Sequence, residues 1–388
     1  MAKKVLMICA NHWFSFFRVG SHQLARELVK KGYEVAFVSA PISPLHVLGR
    51  CREELVKRFK IYYSGGAQDL EGRLWTYVPC CIFPPNRKFF LKSLWVYRNW
   101  QKMTIPSVVK KVFKNGFREV DFIYFDNALQ PFWLNEINFR KAVFRIPDNS
   151  QGFLREYTPA LEQQEGELVK KVDLVIGTGI SLTEKLRKKH HAVDYIEYLP
   201  NGVCCDHFTG KQESKPIEYH KISNPIAVYV GDIGYWFDFK LLKSLAYQLS
   251  KVTFVLIGPS KEAEKHFLGI SNIKILGPRP YSAIPGYLQH ADVGIIPFDV
   301  SRFGELIHCV NPLKLYEYMA AGLPVVATEW EELKHLNSPA FLCKTVDDFR
   351  NNICNAIQFR KDKSVYQDFA KKHDWSARAE KLIQLLSK

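Results

Sequence analysis

The sequence predicts an α/β protein made of two doubly wound domains, each built on a parallel sheet. Short apolar strands alternate with amphipathic helices in the first 200 residues, and the same alternation starts again after a polar stretch. Strand–helix–strand order gives parallel strands joined by crossover helices. The 388 residues, 47% of them hydrophobic, suffice for two cores of ordinary size. We therefore expect two facing domains with a cleft between them.

The first domain is assigned to residues 1–203 from its βαβ opening. Residues 5–10 predict a buried strand, residues 20–31 a helix that Gly32 ends, and residues 34–39 the next strand. Further strands are predicted at 122–125, 142–146 and 174–177, with helices at 104–114, 161–171 and 182–190. Residues 41–85 carry mixed strand and loop signals.

The second domain is assigned to residues 222–374, after a turn at 200–203 and a polar linker at 204–221. Its predicted strands are 226–231, 253–258, 273–277, 293–297 and 325–328, and its predicted helices are 239–249, 283–290 and 312–321. Residues 375–388 predict an amphipathic helix that packs back on the first domain. Ligands of such folds bind outside the carboxyl ends of the strands, so the loops there should carry the site.

The helix predicted at 312–321 has a ligand-binding pattern at its start. Asn311 suits the N-cap, Pro312 the first helical position, and Gly322 the end. Exposed N–H groups at a helix start, together with Lys314, would hold phosphate, and Glu317 could accept hydrogen bonds from a sugar diol. The alternative is an amphipathic helix with a solvated Lys–Glu pair.

The net charge of +15 indicates an anionic partner. Basic and aromatic residues alternate through residues 86–118, a composition that suits an interfacial helix on an anionic membrane. A core helix with buried aromatic side chains is the alternative. Nucleic acid is disfavoured because no nucleic-acid motif accompanies the patch.

The cysteines and the apolar runs bear on the compartment. Nine scattered cysteines without a signal peptide favour a reducing cytoplasm, and no apolar run has the length of a bilayer span. Together with the basic aromatic patch, the cysteine pattern and the short apolar runs predict a cytoplasmic protein that is peripheral on the inner face of the cell membrane.

Motifs across the second domain resemble the GT-B glycosyltransferases, which have two Rossmann-like domains and bind a nucleotide-sugar donor mainly with the second. The matching stretches are Pro200-Asn201-Gly202-Val203, Tyr229-Val230-Gly231, Phe254-Val255-Leu256-Ile257-Gly258-Pro259, Leu276-Gly277-Pro278-Arg279, Ala291-Asp292-Val293-Gly294-Ile295-Ile296-Pro297-Phe298 and residues 311–327. The resemblance implies that Lys314 meets the donor diphosphate, Glu317 lies near the ribose, Arg279 lies beside the base, and Gly231 admits the nucleotide. The donor-side set is Gly231, Asp232, Gly258, Arg279, Phe298, Asn311, Leu313, Lys314 and Glu317.

The first domain is similar to the membrane-associated xanthan glucuronosyltransferase family and its relatives in cell-wall polymer synthesis. The matching pieces are residues 11–18, Phe83-Pro84-Pro85-Asn86-Arg87-Lys88 and Phe144-Arg145-Ile146-Pro147-Asp148. Asp148 matches the proposed base of that family, although its local sequence alone favours a turn or cap residue. Asp126 is the rival base and Asp232 a weaker one, while His12 and Arg18 could orient the acceptor.

One departure from the GT-B pattern bears on mechanism. Many retaining members carry a second Glu eight residues before the one matching Glu317, and here Cys309 stands there. We therefore expect inversion at the anomeric carbon. No Asp-x-Asp pair stands at a strand end, so no metal or other cofactor is expected to be required.

The expected function is transfer of a sugar, of hexosyl or glucuronosyl type, from a nucleotide sugar such as a UDP-sugar to a lipid-linked or cell-surface polysaccharide acceptor. Alternatives on the same fold are a retaining or soluble-acceptor transferase, an epimerase and a phosphorylase. From another class, a non-catalytic module that binds glycan or membrane remains an alternative.

Overall fold

The computed structural model describes residues 3–16, 18–44, 46, 52–86, 88–149, 158–191, 195–210, 213–259, 261–359 and 362–387. The chain divides into two compact units. The first contains Met1–Thr178, Leu182–Leu199 and Ala379–Lys388, and the second contains Gly179–Ser181 and Pro200–Arg378.

The first unit is built on a mostly parallel sheet, as expected. Its strands are β1 (Lys3–Cys9), β2 (Tyr33–Ser39), β3 (Ala67–Asp69), β4 (Leu74–Tyr77), β5 (Glu119–Phe125), β6 (Asn138–Ile146), β7 (Leu174–Gly177) and β8 (Ile196–Tyr198). They lie in the order β3-β4-β2-β1-β5-β6-β7-β8, and only the pairing of β3 with β4 is antiparallel. Strand order reverses between β1 and β5, so the carboxyl ends of these two strands form a topological switch point.

Helices accompany the strands of this sheet along the chain. They are α1 (Gly20–Lys30), α2 (Arg52–Tyr63), α3 (Leu94–Asn99), α4 (Val108–Lys114), α5 (Trp133–Glu136), α6 (Pro159–Val169) and α7 (Ile180–Lys189), with 3₁₀ turns at Phe89–Lys92 and Trp100–Met103. Strand β1 lies at the centre, and Val5, Leu6, Met7 and Ile8 are fully buried. A run buried on both faces is what a central parallel strand requires.

The second unit has a fully parallel sheet. Its strands are β9 (Ile226–Val230), β10 (Thr253–Ile257), β11 (Ile273–Ile275), β12 (Val293–Ile296), β13 (Val325–Thr328) and β14 (Phe341–Cys343), in the order β11-β10-β9-β12-β13-β14. Its helices are α8 (Cys205–Thr209), α9 (Phe239–Gln248), α10 (Lys261–His266), α11 (Ile284–Gln289), α12 (Val300–Ile307), α13 (Leu313–Ala320), α14 (Glu331–His335), α15 (Val346–Gln358) and α16 (Lys363–Lys371). The switch point of this sheet lies between β9 and β12.

Several segments differ from the sequence-based expectation. Residues 41–85 contain helix α2 as well as strands β3 and β4. Strand β14 was not predicted from the sequence. The expected linker at 204–221 instead contains α8 and a 3₁₀ turn at Ile217–Tyr219, and it groups with the second unit. Phe208 and Tyr219 are buried there, which gives this segment a core contact that a linker lacks.

The C-terminal helix α17 (Trp375–Leu386) crosses the division between the units. Its residues from Ala379 onward group with the first unit, where Glu380 accepts a hydrogen bond of 2.7 Å from Lys31 of α1's C-cap. Trp375 belongs to the second unit and donates its backbone N–H to Val203 O.

The basic aromatic segment at 86–118 is divided between core and surface. Val96, Tyr97 and Trp100 are buried, whereas Phe90 and Trp95 are 60% and 64% exposed. Short helices rather than one long interfacial helix carry these residues. Among the helices that the structure describes, we find none long and apolar enough to cross a bilayer.

Candidate active site

Helix α13 begins differently from the prediction. Pro312, with extended backbone angles, occupies the N-cap position, and the helix starts at Leu313 without a side-chain cap. The predictions of Asn311 as N-cap and of Pro312 as the first helical residue were therefore wrong. The first-turn N–H groups consequently lack a capping side chain, a condition that favours an anion at the helix start.

Asn311 does not cap the helix. Its side chain is buried, so both the oxygen and the nitrogen of its amide need hydrogen-bond partners. Its Oδ1 accepts hydrogen bonds from Asn201 N and Tyr316 Oη, and its Nδ2 donates to Glu332 Oε1 at 2.8 Å. Glu332 is itself fully buried and also accepts from Ile180 N at 2.6 Å. This network fixes the loop that leads into α13.

Lys314 lies on the first turn of α13 against two aromatic rings. Its Nζ is 5.2 Å from the ring centroid of Tyr229 and 5.0 Å from that of Phe298. Both rings are buried, and Phe298 stacks on Trp330. The rings attract the ammonium group and hold it over the end of β9. The charge is thus positioned before any ligand arrives.

Gly231 and Gly258 bring backbone close to this lysine. Gly231 has φ +142°, and a Cβ there would lie 3.2 Å from Lys314 Cε. Gly258 has φ +147°, and a Cβ there would lie only 1.9 Å from Gly231 O. The two glycines follow β9 and β10 directly, so the carboxyl ends of adjacent strands approach each other without intervening side chains.

Glu317 lies one turn further along α13 and is partly exposed, while its carboxyl group is surrounded by protein. Burial raises the pKa of Glu317 to about 7, against the lowering effects of the Lys314 charge and a hydrogen bond from Tyr281. The carboxyl group therefore changes charge near neutral pH. It can accept hydrogen bonds from ligand hydroxyls most strongly when ionised.

Arg279 is committed to partners within the second unit. Its Nη2 lies 2.8 Å from Glu218 Oε1, its Nε donates to Tyr287 Oη, and its Nη1 donates to Leu276 O. These contacts use most of the guanidinium donors, which disfavours a direct role beside the nucleotide base. Asp232 is exposed next to Gly231, and its backbone oxygen accepts a hydrogen bond from Tyr229.

In the first unit, Asp126 joins the end of β5 to β1 and α1. Its carboxylate accepts from Ala10 N at 2.8 Å, from Ser21 Oγ at 2.6 Å and from Asn127 Nδ2 at 2.9 Å. Burial raises the pKa of Asp126, and these donors oppose the rise. A carboxylate held by three donors is suited to fixing the switch point rather than to removing a proton from a substrate.

His12 follows β1 and forms a buried pair with Glu54 of α2. Its Nε2 lies 2.8 Å from Glu54 Oε2, and burial lowers the pKa of His12, so the ring is neutral at pH 7. Its Nδ1 has no hydrogen-bond partner among the described residues. Arg18 stacks its guanidinium 5.5 Å from the Trp13 ring centroid and donates to Trp13 O. The pair with Glu54 orients the imidazole ring.

Asp148 lies two residues beyond β6, at the same carboxyl edge of the sheet, and is partly buried. Its neighbour Arg145 lies within β6 and is 2% exposed. Asp126, Asp148 and His12 follow the carboxyl ends of β5, β6 and β1. The structure thus brings them to one edge of the sheet in the first unit. It brings Gly231, Gly258, Phe298, Lys314 and Glu317 to one edge of the second.

Sequence reasoning missed the residues that hold these groups. Glu54 falls in the unassigned stretch 41–85, where the spacing of Leu55, Phe59 and Tyr62 is the signal that could have indicated a helix. Glu331 and Glu332 form an ordinary acidic pair in the sequence. Only tertiary packing makes Glu332 fully buried and leaves Glu331 partly exposed. Tyr281, which contacts Glu317, follows Arg279 closely enough that the motif around Arg279 could have indicated it.

Two Rossmann-like units, the second with a lysine and a glutamate on the first turns of the helix before β13, are typical of the GT-B fold. Comparison with protein families agrees. Residues 7–178 match the model of the glucuronosyltransferase GumK N-terminal domain, and residues 224–358 match the model of glycosyl transferases group 1. Each model thus matches one part of the chain, the first within the first unit and the second within the second unit.

A curated relative is the putative teichuronic acid biosynthesis glycosyltransferase TuaH of Bacillus subtilis. It is 26% identical over 185 residues, and the match covers 46% of this chain and 46% of that relative. About half of each protein is therefore compared.

Solved structures show the same fold over nearly the whole chain. Sucrose-phosphate synthase of Thermosynechococcus elongatus has a TM-score of 0.67 at 15% identity, covering 99% of this chain and 98% of that one. Anabaena HepE in complex with UDP and glucose has a TM-score of 0.66 at 15% identity, covering 100% of both chains. The E. coli trehalose-6-phosphate structure bound with UDP-2-fluoro glucose has a TM-score of 0.66 at 13% identity, covering 99% of both chains.

Proposed function

We propose that this glycosyltransferase moves a sugar from a UDP-sugar donor to a polysaccharide or lipid-linked glycan acceptor. The observation that carries the proposal is Lys314 held over the end of β9, one turn before Glu317. The HepE and trehalose-6-phosphate structures that share this fold contain UDP or UDP-sugars. The relative TuaH is named for teichuronic acid biosynthesis, which favours a cell-wall glycan as acceptor.

In this proposal the donor diphosphate meets Lys314 and the uncapped N–H groups at the start of α13. The cation and the helix dipole stabilise the negative charge that develops as UDP departs. Glu317 accepts hydrogen bonds from the ribose hydroxyls. Because protein groups supply the positive charge, the reaction requires no metal ion.

The proposed reaction is a single displacement with inversion. The acceptor hydroxyl oxygen forms a bond to the anomeric carbon while the bond from that carbon to the UDP oxygen breaks. Asp148 takes the acceptor proton, and UDP leaves with the bonding electron pair. The donor residues belong to the second unit and the base to the first.

Replacing Lys314 tests the donor side. Lys314→Ala should lower kcat by about 100-fold or more, because removing one charge-stabilising group from a transition state costs roughly 2.7–4 kcal/mol. The control is Lys243→Ala, an exposed lysine on α9, which should retain normal turnover. Turnover in Lys314→Ala within a few-fold of the control contradicts the assignment.

Replacing Asp148 tests the base. Asp148→Asn should bind a UDP-sugar with unchanged affinity and transfer none of it, since the amide cannot take the proton. NMR of the normal product should show an anomeric configuration opposite to that of the donor. Retention of configuration, or transfer by the variant, rejects Asp148 as an inverting base.

The donor is identified by thermal unfolding with a panel that includes UDP-glucose and UDP-glucuronate. A ligand at 100 times its dissociation constant stabilises the folded chain by about 2.7 kcal/mol. Absence of any shift, together with absence of UDP release across the panel, would indicate a non-catalytic module.

We also propose that an exposed aromatic surface, formed by Ile82, Phe83, Phe90 and Trp95, contacts the inner face of an anionic membrane. The Phe83 and Phe90 rings lie 5.4 Å apart, and exposed Lys88 and Lys92 flank them. Aromatic rings and lysines together suit the headgroup region.

Vesicle sedimentation tests this surface. The double variant Phe90→Ser, Trp95→Ser should bind anionic vesicles at least about ten-fold more weakly than the unaltered enzyme. Leu268→Ser is the control, because Leu268 is 88% exposed in the second unit. Equal vesicle binding by both variants would refute the membrane proposal.

A further inference from the structure

A cavity of about 540 Å³ lies within the first unit, away from the candidate active site. It is bordered by α3, the 3₁₀ turn Trp100–Met103, α5 and α6, and its volume is in the range of small-molecule sites. Its walls include the side chains of Tyr97, Phe132 and Leu168, all buried.

The position of the cavity separates it from the catalytic edge. Helix α5 ends just before β6 begins, and Lys171 follows α6 just before β7 begins, so these residues lie at the amino edge of the sheet. Asp148 follows the carboxyl end of β6. Helix α6 runs between the two edges, and its 11 residues span about 16 Å.

Two amide side chains in the cavity wall have oxygens that need donors. Gln164 is 1% exposed, and its Nε2 donates to Tyr97 O at 3.3 Å, which fixes the amide orientation. Its Oε1 and the buried Oε1 of Gln101 have no hydrogen-bond partner among the described residues. Buried carbonyl oxygens in the wall of a roomy cavity are satisfied by water or by ligand hydroxyls.

The rim of the cavity carries spare positive charge. Arg98 and Glu167 pair with each other. The side chains of Lys102 and Lys171 are exposed and have no ion-pair or hydrogen-bond partner within the described ranges. Glu136 also lines the cavity, so three cations face two acids. A ligand with hydroxyl donors and one anionic group complements both the wall and the rim.

We propose that this cavity is an accessory binding site for an acidic sugar unit. Hydroxyl groups of the sugar donate to Gln101 Oε1 and Gln164 Oε1, and its carboxylate or phosphate pairs with Lys102 and Lys171. The apolar face of the sugar ring packs against Tyr97. The site goes beyond the proposed transfer reaction, because it uses no residue of the donor or base assignments.

Titration of the full-length enzyme with D-glucuronate, glucose 6-phosphate and neutral D-glucose, followed by saturation-transfer NMR, tests the site. At least one of the two acidic sugars should bind with a Kd on the order of 1 mM, and glucose should bind several-fold more weakly. The relative affinity of the two acids identifies the anionic group as carboxylate or phosphate.

Variants locate the binding. Gln101→Met and Lys171→Met should each weaken it about five-fold, as expected for losing one hydrogen bond or ion contact. Lys110→Met, an exposed lysine on α4 outside the cavity, should leave it unchanged. Unchanged thermal unfolding of each variant shows that the fold is intact.

Lys314→Ala separates this site from the donor site, because acidic-sugar binding should persist when donor turnover is lost. The proposal is overturned by absence of saturable binding of either acid, by binding that both cavity variants leave unchanged, or by binding that Lys314→Ala abolishes. It is also overturned if glucose binds as well as both acids do.

Discussion

Gly258→Ala probes the close backbone approach that shapes the donor side. A methyl group at residue 258 would lie 1.9 Å from Gly231 O and 2.7 Å from Gly231 C. Ordinary carbon–oxygen contacts are about 3.3 Å or longer, so the two strand ends must separate by roughly 1.4 Å. The backbone at φ +147° adds strain for any residue with a Cβ.

The expected cost follows from these two effects. Overpacking costs about 1–3 kcal/mol and the backbone conformation about 1–3 kcal/mol, so Gly258→Ala should lose about 2–6 kcal/mol of stability. Gly269→Ala is the matched control, since Gly269 has φ +81° but has nothing within 4 Å of the position that a Cβ methyl would take. Gly269→Ala therefore has the free-energy cost of the backbone conformation but no steric clash.

Thermal unfolding measures the difference. With 1 kcal/mol worth about 2–4 °C in a domain of this size, Gly258→Ala should melt roughly 2–12 °C below Gly269→Ala. Donor affinity should also fall only in Gly258→Ala, because Gly231 must move and it lies against Lys314. Equal melting temperatures for the two variants would refute the close-approach argument.

Two further predictions concern buried carboxyl groups. Because burial raises the pKa of Glu317 from 4.5 to about 7, the folded chain binds a proton that the unfolded chain lacks between those values, so stability falls as pH rises through this window. UDP-sugar affinity should rise over the same range as the carboxylate forms, and Glu317→Gln, measured by calorimetry at several pH values, should remove both dependences. Asp126→Ala should cost about 2–4 kcal/mol in denaturant unfolding by orphaning the Ala10, Ser21 and Asn127 donors, with turnover per folded molecule within a few-fold of normal. Lost turnover at unchanged stability would instead make Asp126 the base.

The sheets were predictable because parallel strands are marked by local composition. The strands at 174–177 and 325–328 are confirmed to the residue, as each is an apolar run bounded by turn residues. Helix α2 was not predictable in this way. Leu55, Phe59 and Tyr62 recur at i, i+4 and i+7 and pack against a small apolar cluster, but the many charged residues of this helix weaken its apolar stripe.

The roles of single polar side chains depended on tertiary contacts that no local pattern encodes. Asn311 has the sequence position of an N-cap, but burial beside Asn201, Tyr316 and Glu332 gives its side-chain amide three other partners. Arg279 has the motif position of a ligand-binding cation, but Glu218, distant in sequence, neutralises it. Lys314 lies against Gly231, Tyr229 and Phe298, and its contact with a donor diphosphate stays a prediction.

The surroundings of Cys309 bear on the proposed stereochemistry. Cys309 is fully buried, and its backbone oxygen and the Glu332 carboxylate lie 2.8 Å and 2.9 Å from the position that a Cβ of residue 179 would take. Burial raises the pKa of Glu332, whose carboxylate accepts hydrogen bonds from Asn311 Nδ2 and Ile180 N. Cys309 packs in this buried position, and the proposed inverting course places no donor-side acid there. In the proposed reaction a carboxylate of the first unit takes the proton, and Asp126, which is held by three donors, suits that role less well. Asp148 is the group whose loss should stop transfer while leaving donor binding intact.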